Sequence, residues 1–155
     1  MYYSGIGSRK APDDILALME LCAMTLEAKG YKLRSGGAGG SDKAFERGVW
    51  NSSNKEIFRP EHATSEAIKL ASTVHPAWHN CNDYTRKLHG RNSQIILGKD
   101  LDTPVEFVVC WTPGGKVAGG TGLGIRLAQS KNIPVYNIYH KAELQKLISY
   151  LGGTL

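Results

Sequence analysis

The sequence predicts an α/β domain, doubly wound around a mostly parallel sheet of about five strands with helices on both faces. Three observations predict it. Short apolar runs alternate with stretches of helical periodicity along the chain. The composition is globular, with 41% apolar and 21% charged residues. Glycine is enriched, at 18 of 155 residues, and it clusters where the apolar runs end, which calls for special backbone geometry.

Each element follows in order. Tyr2 to Ile6 reads as a first strand that breaks at Gly5-Ile6-Gly7-Ser8-Arg9. Pro12-Asp13-Asp14 opens a helix with proline and acids in its first turn, where the dipole favours them, and Gly30 stops it. Tyr31 to Ser35 is a second strand, ending in Gly36-Gly37-Ala38-Gly39-Gly40. Ser41 begins a helix expected to reach Val49-Trp50, and Glu56 to Arg59 is a third strand, stopped by Pro60. Helices are expected over Thr64 to Val74 and Asp83 to Leu97, separated by a polar loop. Within the latter, Gly90 is costly for a helix interior, so Gly90-Arg91-Asn92 is expected to mark a helix start aimed at the site. Val105 to Trp111 is the most apolar strand, and a helix from about Thr121 to Ser130 follows the second glycine cluster. Ile133 to Ile138 is a fifth strand and Lys141 to Leu151 a closing helix. Such alternation gives a modified Rossmann-like sheet, expected in the order 3-2-1-4-5, in one domain over residues 1–155.

The net charge of +5 and pI of about 9.1 favour an anionic partner. Cys22 and Cys110 read as core residues, and Cys81 sits in a His-rich loop. An odd, unpaired cysteine count points to a reducing, cytoplasmic location, and the absence of a long apolar run to no membrane partner. His75, His79 and His89 match no common zinc spacing, so neither a metal nor another cofactor is expected. Trp78 reads as a loop anchor, with base stacking as its alternative.

In such sheets ligands bind beyond the carboxyl ends of the strands, where the strand order reverses. Three glycine-rich turns, after strands one, two and four, lie at that edge. Each leads to a helix start, where free N–H groups and positive partial charge suit phosphate. Arg9 is placed to pair a phosphate bidentately, with Ser8 adding a hydroxyl. Asp42 is either an N-cap carboxylate or a ligand contact and general acid/base. Ser35 and Ser41 stabilise turns, with ligand contact as the second option. Thr121 is the hydroxyl at the later helix start. Arg91 and Asn92 are polar candidates for the site, with a structural role as the rival for Arg91. Glu106, inside the fourth strand, and Asp83 are lesser candidate acids.

Tyr3-Ser4-Gly5-Ile6-Gly7-Ser8-Arg9 followed by Ser35-Gly36-Gly37-Ala38-Gly39-Gly40-Ser41-Asp42 resembles the SLOG superfamily. That group includes DNA-processing protein A and the LONELY GUY phosphoribohydrolases. Pro113-Gly114-Gly115 with Gly119-Gly120-Thr121-Gly122 looks like the second loop of the group. The resemblance implies a site lined by Gly7, Ser8, Arg9, Gly36, Gly37, Gly39, Asp42, Gly115, Gly120 and Thr121, and Gly114 is a further ligand-binding candidate beside Gly115. Arg91 falls where the phosphoribohydrolases carry a catalytic arginine, and Asp42 is the acid expected beside it. The phosphoribohydrolase loop carries a glutamate after its Gly-Thr, whereas Gly122-Leu123-Gly124-Ile125 follow here. The loop is in that respect closer to the DNA-processing protein. The expected function is binding of a nucleotide or nucleotide-derived molecule, with N-glycosidic hydrolysis as a further activity. The alternative is a module that binds single-stranded DNA through the same loops. The resemblance also implies a homo-oligomer.

Overall fold

The computed structural model describes residues 1–153, so the last two residues of the expected domain lie outside the described residues. Five strands, β1 (Tyr2–Gly7), β2 (Lys32–Ser35), β3 (Lys55–Ile57), β4 (Val108–Trp111) and β5 (Val135–Asn137), form one sheet in the order β3-β2-β1-β4-β5. All four pairings are parallel. The α/β doubly wound fold and the strand order are those expected.

Among the described residues six α-helices cover the sheet: α1 (Asp13–Ala28), α2 (Ser41–Arg47), α3 (Ser65–Val74), α4 (Asp83–Leu97), α5 (Gly119–Ser130) and α6 (Lys141–Tyr150). The period of two along the strands divides the core. Tyr3, Val109 and Trp111 face one side, with Met19 and Leu26 of α1, Phe45 of α2 and Leu147 of α6. Ile6, Val108 and Cys110 face the other, with Ile95 and Ile96 of α4 and Ile125 and Leu127 of α5. Among the described residues no helix is long and apolar enough to cross a membrane.

Four expectations are corrected. Gly90 does not start a helix but lies inside α4, buried. A Cβ there would sit 2.6 Å from Ile68 Cγ1 and 3.1 Å from Ile68 Cα, so glycine lets α4 cross α3 closely enough for backbone to approach backbone. The strand expected from Val105 starts at Val108. Before it, Val105 N–H donates to the Ile96 carbonyl and Glu106 N–H to the Tyr2 carbonyl, which leaves Glu106 exposed at the sheet edge opposite the glycine turns. Finally, α5 begins at Gly119, two residues before Thr121, because Gly119 and Gly120 already take up the first turn and Gly122 N–H reaches the Ala118 carbonyl. The helix expected to reach Trp50 ends at Arg47, since Gly48 N–H closes on the Phe45 carbonyl and the chain turns away.

Glycine also sets how closely α2 lies on the sheet. A Cβ at Gly5 would come within 2.6 Å of Phe45 Cγ and 2.9 Å of Leu33 Cδ1, both buried. Gly5→Ala should therefore destabilise the protein by about 1–3 kcal/mol through overpacking. Gly39→Ala, whose added methyl meets nothing within 4 Å, should stay within about 0.5 kcal/mol. Urea unfolding of the two variants checks this; equal effects would contradict it.

Candidate functional site

The carboxyl ends of β1 and β4, the two strands flanking the point where chain order reverses, open into a cleft of about 520 Å³. That volume lies within the usual range for small-molecule sites. A larger groove of about 790 Å³ lies at the opposite edge, against Leu70, Leu97, Val105 and Ile133. It collects no glycine turn, and the helix whose first turn reaches it, α3 at Glu66, is capped by the Thr64 side chain, so the anion-binding features belong to the smaller cleft.

Backbone geometry builds the cleft floor. Gly7 ends β1 where a Cβ would lie 2.6 Å from Ser41 Oγ and 2.9 Å from the Trp111 carbonyl oxygen. Ser41 Oγ donates to the Ser8 carbonyl at 2.6 Å, and Ser8 N–H donates to the Trp111 carbonyl at 3.1 Å. These bonds tie α2, the β1 turn and the end of β4 together. Ser8 Oγ accepts from Lys10 N–H at 3.0 Å, which curls the turn around Arg9. Arg9 is exposed and makes no hydrogen bond or ion pair among the described residues.

The opposite wall is the start of α5. Ala118 offers no side-chain cap, so the first N–H groups of this helix, at Gly119, Gly120 and Thr121, have no carbonyl one turn earlier to receive them. The helix dipole adds partial positive charge at that point. Asn92 Nδ2 donates to the Gly120 carbonyl at 3.2 Å and holds this wall against α4. A Cβ at Gly120 would meet that amide at 2.9 Å, so the tether needs glycine.

Asp42 and Arg91 share the far wall around Gly36. Asp42 is not the N-cap of α2, a place taken by Gly40. Its Oδ2 instead accepts from Ala38 N–H at 3.3 Å, across the glycine turn. Arg91 Nη1 donates to the Gly36 carbonyl at 2.8 Å and the Phe58 carbonyl at 3.1 Å, and its Nε donates to Asn92 Oδ1 at 3.0 Å. A Cβ at Gly36 would lie 2.7 Å from Arg91 Nη1 and 2.8 Å from Asp42 Oδ2, so only a bare backbone fits between the two. Both are buried, at 6% exposure each. Burial pushes the Asp42 carboxyl up to about 6, against the pull of Arg91, the N–H groups of Ala38 and Gly36, and Arg9. Burial also draws Arg91 below its usual range, with Asp42 opposing.

Of the expected residues, Gly7, Ser8, Arg9, Asp42, Arg91, Asn92, Gly120 and Thr121 line the cleft. Ser35, Gly36, Gly37, Gly39, Gly114 and Gly115 do not. Ser35 Oγ donates to the Gly5 carbonyl at 2.6 Å, a bond between neighbouring strands. Gly36 lies behind Asp42 and Arg91, Gly37 packs on Arg59, Gly115 on His140, and Gly39 and Gly114 are exposed. Asp83 and Glu106 lie outside the cleft, and Trp78 packs on His75, His89 and Arg86 behind it. Besides Ile6, Ala38, Thr112, Pro113, Ala118 and Gly119 of the turns, the residues sequence reasoning missed are Thr85, Leu88 and His89 of α4. With Asn92 they recur at helical spacing, so the face was readable once Asn92 was placed in the cleft. Burial, with His75 and Arg91 close by, pushes the His89 imidazole down to about 4.

Comparison of the chain with protein-family models, curated proteins and solved structures finds no match.

Asp42 yields a prediction with a definite sign. Its carboxyl titrates at about 6 in the folded protein against 3.8 for the ordinary group. The folded state thus holds a proton that the unfolded chain has already released, and stability falls as pH rises through that window. Asp42→Asn should therefore be more stable than the parent by about 1–3 kcal/mol at pH 7. The difference should shrink toward pH 4. Denaturant unfolding at both pH values checks this, and a difference independent of pH would contradict it.

Proposed function

We propose that the chain binds a nucleotide or nucleotide-derived molecule, with its phosphate at the start of α5. The observation that carries this reading is the pairing of the uncapped α5 start with the unpartnered Arg9 in one cleft. Backbone N–H groups and a helix dipole favour an anion. Arg9 supplies a bidentate partner on the open side. Thr121 offers a hydroxyl beside the N–H groups, and its Oγ1 has no protein partner among the described residues.

Asp42 is the one carboxylate among the described residues that line the cleft. It accepts from a sugar hydroxyl when ionised and donates when protonated, and near neutral pH both forms are accessible. Standard glycoside hydrolysis uses two carboxyl groups, an acid and a base or nucleophile. A cleft with one supports binding as the primary activity. N-glycosidic cleavage would then rest on Asp42 stabilising positive charge on the sugar, with Arg91 positioning it through Gly36. Membership of the SLOG superfamily belongs to the same proposal and is supported by the order of the glycine turns along the chain, of which Gly7, Gly119 and Gly120 line this cleft.

Calorimetry with a panel of nucleoside mono- and diphosphates tests the reading. Binding of one equivalent is expected, weakened about 10–100-fold in Arg9→Ala, the worth of a charge-assisted hydrogen bond. No heat at millimolar nucleotide would overturn it. Absence of mononucleotide binding together with steeply salt-dependent binding of a single-stranded oligonucleotide would favour the nucleic-acid module instead.

A further inference from the structure

The loop between α3 and α4 brings together three side chains that the nucleotide reading does not use. His75 follows the last turn of α3, Cys81 follows a short 3-10 turn at Trp78–Asn80, and His89 projects from α4. One ligand atom from each lies within 4.8 Å of the other two. His75 Nε2 is 3.7 Å from Cys81 Sγ, and the two imidazole rings are 4.6 Å apart, centre to centre. A tetrahedral zinc with bonds of about 2.0 Å to nitrogen and 2.3 Å to sulfur separates those donors by about 3.5 Å. The pair is thus spaced as ligands of one ion would be.

A second observation points the same way. His89 is 5% exposed, and its Nδ1 is buried without a hydrogen-bond partner in the protein. A buried ring nitrogen is costly to leave unpaired, and the residue that carries this one is a member of the cluster. The surroundings hold the rings in place. Trp78 packs edge-on against His75 and tilted against His89, with ring centres 5.8 and 6.1 Å away. Arg86 lies over Trp78 at 5.2 Å and donates to its carbonyl at 3.1 Å.

We propose that His75, Cys81 and His89 bind a zinc-class divalent ion at the back of the cleft wall. One thiolate and two imidazoles form a borderline-soft donor set that suits zinc or cobalt over magnesium or calcium. Three protein donors leave one position of a four-coordinate ion for water or an incoming ligand. The ion and thiolate together carry a net charge of +1, which adds to the anion attraction of a cleft that His89 also lines. Protons balance simply. Ala77 N–H donates to His75 Nδ1 at 2.9 Å, so without the ion His75 carries its proton on Nε2. Coordination releases the Cys81 thiol proton and moves the His75 proton from Nε2 to Nδ1, with the Ala77 bond given up. The spacing His-x5-Cys-x7-His matches no common zinc pattern, which is why the sequence alone suggested no metal.

The test needs no nucleotide, so its failure leaves the reading of the cleft intact. The full chain, stripped by dialysis against a chelator, is titrated with cobalt(II) alone. One equivalent is expected to produce a thiolate-to-cobalt charge-transfer band in the near ultraviolet and intense visible bands of a four-coordinate ion, bleached by zinc. Cys22 and Cys110 are buried in the two cores and cannot supply that thiolate. Cys81→Ser, at a half-buried position, should abolish the charge-transfer band, and His75→Ala should weaken binding at least about 100-fold, beyond the usual loss from an outer-shell change. Circular dichroism verifies that both variants fold. No band in the parent protein, binding only at millimolar cobalt, or a band unchanged in Cys81→Ser would overturn the proposal.

Discussion

The site depends on backbone that can be approached without a Cβ in the way. At Gly7 the end of β1 lies so close to Ser41 and to the Trp111 carbonyl that no side chain fits. That closeness lets Ser41 and Ser8 lace α2, β1 and β4 into one edge. At Gly36 the same constraint admits a carboxylate and a guanidinium on either side of a bare peptide. The cleft is therefore shaped by what is absent from the backbone as much as by the side chains that face it.

Electrostatics follow from that packing. Burial disfavours charge on both Asp42 and Arg91, and each offsets part of the cost to the other. They are not joined in a direct ion pair; Arg91 spends its Nη1 and Nε donors on Gly36, Phe58 and Asn92. Arg91 is thus first a clamp on the ends of β2 and β3. Its charge acts at short range on an acid held near the middle of the accessible pH range, where perturbed groups often serve function. Arg9, exposed and unpartnered, is free to meet a ligand from the open side.

Much of this was legible in the chain. Alternating periodicity gave the strand order, and the turn at Gly5-Ile6-Gly7-Ser8-Arg9 and the cluster at Gly119-Gly120-Thr121 mark two walls of the cleft that the structure describes. What was illegible depends on neighbours distant in sequence. Gly90 reads locally as a helix breaker, yet it serves a helix crossing that only Ile68 reveals. Ser35 reads as a turn-stabilising hydroxyl at the end of its strand, yet it bonds across the sheet to Gly5. The cluster of His75, Cys81 and His89 spans a loop and a helix, so its closeness is a product of how α4 packs on α3.

The central claim is that an anion-bearing ligand sits where the start of α5 faces Arg9. A crystal soaked with a mixture of nucleoside phosphates tests it most directly. The account predicts density for a phosphate about 3 Å from the backbone nitrogens of Gly120 and Thr121, with the Arg9 guanidinium on its outer side and the sugar toward Asp42. A nucleotide bound at the opposite groove, or a cleft left without ligand at saturating concentration, would contradict it.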